Sequence, residues 1–213
     1  MPARLLVHLE PAPDRPTVPP SHTGPAVNAA FPGALRDAGE SDLSETLHET
    51  PPPKPYTLTP LPAEWDRRAG ADSRKVQSEV GLPADSLPAP VTQALAATEH
   101  LRVARRAYRI AAVTPAAAEP YARLLAEVRP VERWAMRIGT PVAFFTAKGE
   151  GARRVRSGRG SVGETVYRLA GPRRAAPDTG HRSDALICFA SYAGIGDRTD
   201  IGTGHLPPAP VRR

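Results

Sequence analysis

The chain alternates strand-like and helix-like segments, and this order of short elements limits the folds open to it. The alternating apolar pattern of residues 3–11 predicts a strand, and the helical spacing of apolar residues over 22–38 predicts a helix. SDLSETLHET at residues 41–50 predicts a second short helix that Pro51 ends. A strand pattern then returns in KPYTLTPL, residues 54–61.

The same kind of order starts again in the second part of the chain. Residues 64–90 carry no firm pattern, although VQSEV is compatible with a strand. After them the sequence predicts helices at 91–104, 114–128 and 183–192, and strands at 105–113, 131–145 and 163–169. Because helices and strands alternate without strict βαβ regularity, we expect two small α+β domains, at residues 1–90 and 91–213.

The positive charge of the chain is concentrated in one segment. The net charge is +6 over 213 residues, and acidic and basic residues balance outside 153–182. Inside that segment eight arginines face only Glu164 and Asp178. The arginines are Arg153, Arg154, Arg156, Arg159, Arg168, Arg173, Arg174 and Arg182. Arginine without lysine favours planar, bidentate contact with phosphate, so this segment predicts a polyanion partner, against the simpler interpretation of a solvated loop.

Other features narrow the class of protein. No apolar run approaches the roughly 18 residues needed to span a membrane, and the start lacks a secretory core, so we expect a soluble cytoplasmic protein that does not bind membranes. The single Cys188 excludes an internal disulfide and any site with several cysteines. No histidine pair has metal-ligand spacing, so we expect neither a metal nor another cofactor.

Residues 190–206, ASYAGIGDRTDIGTGHL, carry paired glycines in the order Gly-Ile-Gly, then Gly-Thr-Gly. A dinucleotide fingerprint would need a third glycine where Thr199 stands, and a nucleotide-hydrolase phosphate loop would need a lysine that this stretch lacks. Calcium would need an oxygen ligand at Ile201. A plain connecting loop and a phosphate-binding loop beside Arg198 both stay open.

Three stretches of the chain together resemble segments of one known family. The first is LHETPPPKPYTLTPL, and the second is MRIGTPVAFF with its Thr-Pro-aliphatic-aromatic centre. The third and most specific is the glycine-rich ASYAGIGDRTDIGTGH. By these stretches the chain resembles the CRISPR-associated endoribonucleases that process repeat RNA, the sixth Cas family of the RAMP superfamily, and the third stretch looks like the C-terminal glycine-rich loop of RAMP proteins. The resemblance implies two tandem ferredoxin-like (RRM-like) domains, the second shortened between Phe145 and Gly160.

The resemblance also implies a partner and a set of contacts. The partner is CRISPR repeat RNA, together with other Cas effector subunits as further candidates. RNA backbone contacts are implied for the loop residues Gly194, Gly196, Arg198, Gly202 and Gly204. The arginine segment extends this path, with Arg153, Arg154, Arg156 and Arg159 as its RNA-binding residues.

The family's reaction is metal-independent: a ribose 2′-OH attacks its own phosphodiester and leaves a 2′,3′-cyclic phosphate and a 5′-OH. His48 matches the catalytic histidine and Lys54 its electrostatic partner. The tyrosine that many members carry on the first helix is unmatched, because the nearest aromatic is Phe31; His22 is a candidate substitute. The competing alternative is a non-catalytic RNA-binding RAMP subunit of an effector complex. A third class, an unrelated ferredoxin-like nucleotide-binding enzyme, would need a phosphate loop, which the glycine-rich stretch does not match.

Overall fold

The structure is a computed structural model of the whole chain. It describes residues 1–11, 23–61, 76–129, 131–140, 163–169, 176, 178–196, 198–206 and 211–212. The strands are β1 (Ala3–Pro11), β2 (Thr57–Leu58), β3 (Val76–Leu82), β4 (His100–Val103), β5 (Arg106–Ala118), β6 (Arg133–Ile138), β7 (Gly163–Arg168) and β8 (Val211–Arg212). The helices are α1 (Gly24–Asp37), α2 (Ser41–Glu49), α3 (Pro88–Ala97), α4 (Tyr121–Ala126) and α5 (Thr179–Ala193), with a 3₁₀ turn at Thr199–Ile201.

Within the described residues the first sheet has five antiparallel strands in the order β2-β3-β1-β5-β4. Helices α1 and α2 connect β1 to β2, and α3 connects β3 to the β4–β5 hairpin. With β5 taken as the fourth strand, this is the β-α-β-β-α-β order of a ferredoxin-like domain, extended at one edge by β4.

One face of this sheet carries the main hydrophobic core. The alternate residues Leu5, Val7 and Leu9 of β1 are all buried there, as the sequence pattern predicts. From α1, Phe31 packs against Tyr56 with ring centroids 5.0 Å apart. Both rings are therefore core side chains rather than exposed stacking platforms.

The second sheet is smaller, with the order β7-β6-β8 in the described part of the chain. Residues Trp134, Met136 and Ile138 of β6 face α5 and form a second hydrophobic cluster. The fully buried Asp184 of α5 accepts a 2.8 Å hydrogen bond from the Trp134 indole and one from the Arg129 amide. These bonds fix α5 against the sheet.

Three predicted helices have different ends in the structure. The helix predicted at 91–104 is α3, which ends at Ala97, and His100–Val103 form strand β4 instead. For the helix predicted at 114–128 only the start at Thr114 is wrong, because β5 continues to Ala118 and pairs with β1 there, and the helix is α4, which begins at Tyr121. The cap predicted for α5 at Ser183 is also wrong, since that helix begins at Thr179 after Asp178.

The first sheet and its core do not stop at the domain division predicted at residue 90. Helix α3 places Val91, Ala94 and Leu95 in the first core, and strands β4 and β5 complete the first sheet. Hydrogen bonding in this sheet continues to Ala118, because β5 lies directly beside β1.

Candidate functional site

His48 lies at the C-terminal end of α2, as the sequence predicts. The helix ends at Glu49, and the Thr50 amide still donates to the Thr46 carbonyl before Pro51 begins the turn. The imidazole of His48 is exposed. It is therefore accessible to a substrate that approaches from solvent.

Lys54 caps this helix end. Its ammonium donates hydrogen bonds to the Leu47 carbonyl at 3.1 Å and to the His48 carbonyl. A cation at a helix C-terminus is favoured by the helix dipole and satisfies carbonyls that have no partner within the helix. The Lys54 side chain is thus hydrogen-bonded to the backbone of His48.

The glycine loop, residues 194–204, begins where α5 ends. Gly194 has φ +71°, and a Cβ there would lie 2.8 Å from Thr199 Cγ2. Gly204 has φ +66°, and a Cβ there would collide with the Ile195 carbonyl. Because the Ile195 amide donates to the Gly204 carbonyl at 2.9 Å, the two ends of the loop are joined. Both glycines are required by contacts within the loop itself.

The loop packs against the first half of the chain. Gly202 has φ +86°, and a Cβ there would lie 2.5 Å from Pro60 Cδ and 3.2 Å from the Leu58 carbonyl. On the other side, the Ile201 carbonyl fills the space where Gly24 lacks a Cβ, at the start of α1. The backbone of the glycine loop therefore lies close to β2 and to the start of α1. RNA contact by the four loop glycines, Gly194, Gly196, Gly202 and Gly204, stays a prediction, and of the four only Gly196 is exposed.

A hydrogen-bonded network crosses this contact. The Tyr56 hydroxyl donates to Asn28 Oδ1 at 2.8 Å, and Asn28 Nδ2 donates to Asp200 Oδ2 at 3.2 Å. Burial, and then the negative charge of Asp200, raises the pKa of Tyr56 to about 12, so this phenol keeps its proton and acts as a donor. The network fixes the loop to the segment that follows Lys54.

Arg198 extends from the same network towards solvent. Its backbone is left-handed, with φ 60°, and its Nε lies 3.7 Å from Asp200 Oδ1. The side chain is 45% exposed, so the guanidinium retains surface for an anion. Residues 54–60 therefore connect the predicted catalytic residue His48 to the predicted RNA-binding glycine loop, since Lys54 contacts His48 and Pro60 contacts the loop.

A second polar cluster joins the two halves. Arg4 of β1 forms an ion pair with Glu79 of β3, and His205 Nε2 lies 3.6 Å from Glu79 Oε2. The His205 backbone also binds the end of β6, because its amide donates to Thr140 Oγ1 and its carbonyl accepts from the Gly139 amide. Burial lowers the pKa of His205, with the charge of Glu79 opposing the change and that of Arg4 adding to it.

Sequence reasoning missed both networks. Asn28 and Asp200 are 172 positions apart, and Arg4 and Glu79 are 75 positions apart, so no local motif marks them. Their only sequence signal is a charged residue within an apolar strand, as at Arg4.

Several predicted site residues lie outside the described residues. They are His22, Arg153, Arg154, Arg156 and Arg159, and their roles stay predictions. Over the described ranges no group of three or more His, Cys, Asp or Glu side chains could hold a metal ion. No described helix is both long and apolar enough to cross a membrane.

Comparisons with known proteins place the fold. No family model and no curated protein sequence matches the chain. Among solved structures, a Cas6 from Thermus thermophilus in its product complex is similar with a TM-score of 0.74 and 21% identity, covering 98% of this chain and 99% of that one. A Cas6-related protein of Pyrococcus furiosus gives 0.64 and 11%, covering 97% and 98%.

A further solved structure is described as a RAMP protein binding different RNA substrates. It matches with a TM-score of 0.64 and 13% identity, and covers 96% of this chain and 98% of that one. At such identities the likeness is one of fold. The predicted α+β architecture of two tandem ferredoxin-like domains is therefore confirmed, and this chain has the fold of Cas6 structures along almost its whole length.

Proposed function

We propose that the protein is a CRISPR repeat-RNA endoribonuclease of the Cas6 type. The fold supports this proposal, because the similar structures include Cas6 bound to product and to a substrate mimic. The observation that carries the proposal is local: an exposed histidine lies in the last turn of α2, the ammonium of Lys54 binds its carbonyl, and Leu58 and Pro60 contact the glycine loop.

The proposed reaction needs no metal. The ribose 2′-oxygen attacks the neighbouring phosphorus, the bond from phosphorus to the 5′-oxygen breaks, and the products are a 2′,3′-cyclic phosphate and a 5′-OH. One proton leaves the 2′-OH and one reaches the departing 5′-oxygen, and His48 is the group that moves a proton in this site. The chain supplies a positive charge beside the phosphate through Lys54.

The hydrogen bonds of Lys54 are compatible with this second role. An ammonium has three N–H donors, and the Leu47 and His48 carbonyls take two of them. The third donor can reach a phosphate oxygen while the other two keep the ammonium at the helix end. Lys54 would thus place positive charge next to the histidine without a large loss of side-chain entropy on binding.

The test is a cleavage assay on candidate repeat RNAs in EDTA, with product ends mapped. We expect cleavage in chelator, 2′,3′-cyclic phosphate ends, and a loss of at least about 100-fold in His48→Ala, the usual size of an acid–base contribution. His100→Ala is the matched control, because His100 is also exposed and lies on β4. Loss of activity in EDTA that added metal restores would overturn the mechanism.

A non-catalytic RNA-binding RAMP subunit is the second candidate, and Phe31 favours it. The tyrosine that many members carry on the first helix is unmatched here, and the nearest aromatic, Phe31, is only 3% exposed in the core and has no hydroxyl. The endoribonuclease proposal has three further parts. His22 replaces the unmatched tyrosine, other Cas subunits are partners, and the protein is located in the cytoplasm. RNA binding without cleavage by the wild-type chain would favour the subunit over the enzyme.

A further inference from the structure

The face of the second sheet opposite its hydrophobic cluster carries a row of arginines. Residues Trp134, Met136 and Ile138 of β6 face the core, so the alternate residues Arg133, Ala135 and Arg137 lie on the opposite face. Both of these arginines are exposed. Residues four apart on a strand are separated by about 13 Å, so Arg133 and Arg137 lie at this spacing along β6.

Strand β7 adds a third arginine to this face. In the antiparallel register Arg168 stands directly opposite Arg133, Val166 opposite Ala135, and Glu164 opposite Arg137. Arg168 and Val166 are exposed as well. Directly opposite side chains have Cβ atoms about 5 Å apart, and like charges in such a pair destabilise a sheet.

The Arg133–Arg168 pair therefore favours a bound anion. Two guanidinium groups at this spacing can each present a planar fork of donors to a phosphate, and the bound charge would remove their repulsion. On the described part of this face the side chains between the arginines are Ala135 and Val166, with no aromatic ring on which a base could stack. The chemistry selects the phosphate backbone of a nucleic acid and not its bases.

The position of the face connects it to the proposed site. Strand β6 ends at Ile138, and the next residues, Gly139 and Thr140, bond to the backbone of His205 just beyond the glycine loop. The end of β6 nearer to Arg137 is thus the end nearer to that loop. We infer that Arg133, Arg137 and Arg168 form a phosphate-binding track for single-stranded RNA that leads away from the glycine loop. This inference rests on the proposed RNA function.

The track can be tested by binding alone, in a His48→Ala chain that cannot cleave by the proposed mechanism. The probe is fluorescein-labelled oligouridylate, and anisotropy is followed between about 50 and 200 mM salt. Arg133→Ala with Arg168→Ala should weaken binding and reduce the log–log salt slope by about 0.7 for each phosphate that is no longer neutralised. Arg102→Ala with Arg105→Ala is the control of equal charge change, because both residues are exposed at the β4–β5 hairpin of the other sheet.

A second readout separates loss of binding from loss of folding. The free double variant should melt at the same temperature as the parent or higher, since the like-charge pair is gone, but oligouridylate should raise its melting temperature less. Equal salt slopes for the track variant and its parent, or no binding of the probe by the parent, would overturn the inference. If the wild-type chain does not cleave repeat RNA but the double arginine variant still shows weaker oligouridylate binding and a smaller salt slope, only the proposed endoribonuclease activity is contradicted.

Discussion

At the scale of single residues, Gly202 is set by the packing of its own chain. Its φ of +86° is left-handed, and a Cβ would lie 2.5 Å from Pro60 Cδ and 2.9 Å from Pro60 N. We expect Gly202→Ala to lose about 1–2 kcal/mol from backbone strain and about 1–3 kcal/mol more from overpacking, measured by urea unfolding. Gly39→Ala is the matched control, since Gly39 has φ +88° with nothing within 4 Å. Equal losses in the two variants would show that the loop does not press on Pro60.

At the scale of elements, Lys54 caps the C-terminal end of α2. Removing its ammonium leaves the Leu47 and His48 carbonyls without these bonds, so both Lys54→Ala and Lys54→Met should lower stability by about 1 kcal/mol in urea unfolding. The methionine keeps the aliphatic stem, and equal losses would assign the effect to the charge. Should Lys54→Met unfold like the wild type, the cap contributes nothing and only a role at the phosphate would remain.

The elements also show what sequence could predict. Periodicity identifies β1, α1 and β6, because each buries one face against its own neighbours, and the polar start and the proline stop identify α2. It fails at Thr114, where an alanine-rich segment pairs with β1 and is a strand, with Leu5 opposite Pro115 and a register shift beside it. Proline is tolerated at such irregular or open positions of a sheet, so a distant strand overrides local helix propensity.

Part of the candidate site could be predicted from the sequence, and part could not. The resemblance of residues 47–61 to the family predicts His48 and Lys54, and their proximity follows from a helix end, a proline turn and a strand within one short stretch of sequence. The bond between Asn28 and Asp200 could not be predicted, since it depends on how the glycine loop packs against α1. Local chemistry can be inferred from neighbouring residues, whereas support from the other half of the chain requires the fold.

At the scale of the whole molecule, the cluster of Arg4, Glu79 and His205 makes the contact between the two halves sensitive to acid. Burial lowers the pKa of His205 from 6.5, so its stabilising contribution is complete above about pH 6.5 and is lost as pH falls through the lower folded value. We expect stability to decrease from pH 7.5 to 5.5, by at most about 1.4 kcal/mol per pH unit for this group. The decrease should be smaller in His205→Gln, and His181→Gln is the control because His181 is exposed. Urea midpoints across this range provide the measurement, and parallel curves for wild type and His205→Gln would mean that His205 does not carry the acid sensitivity.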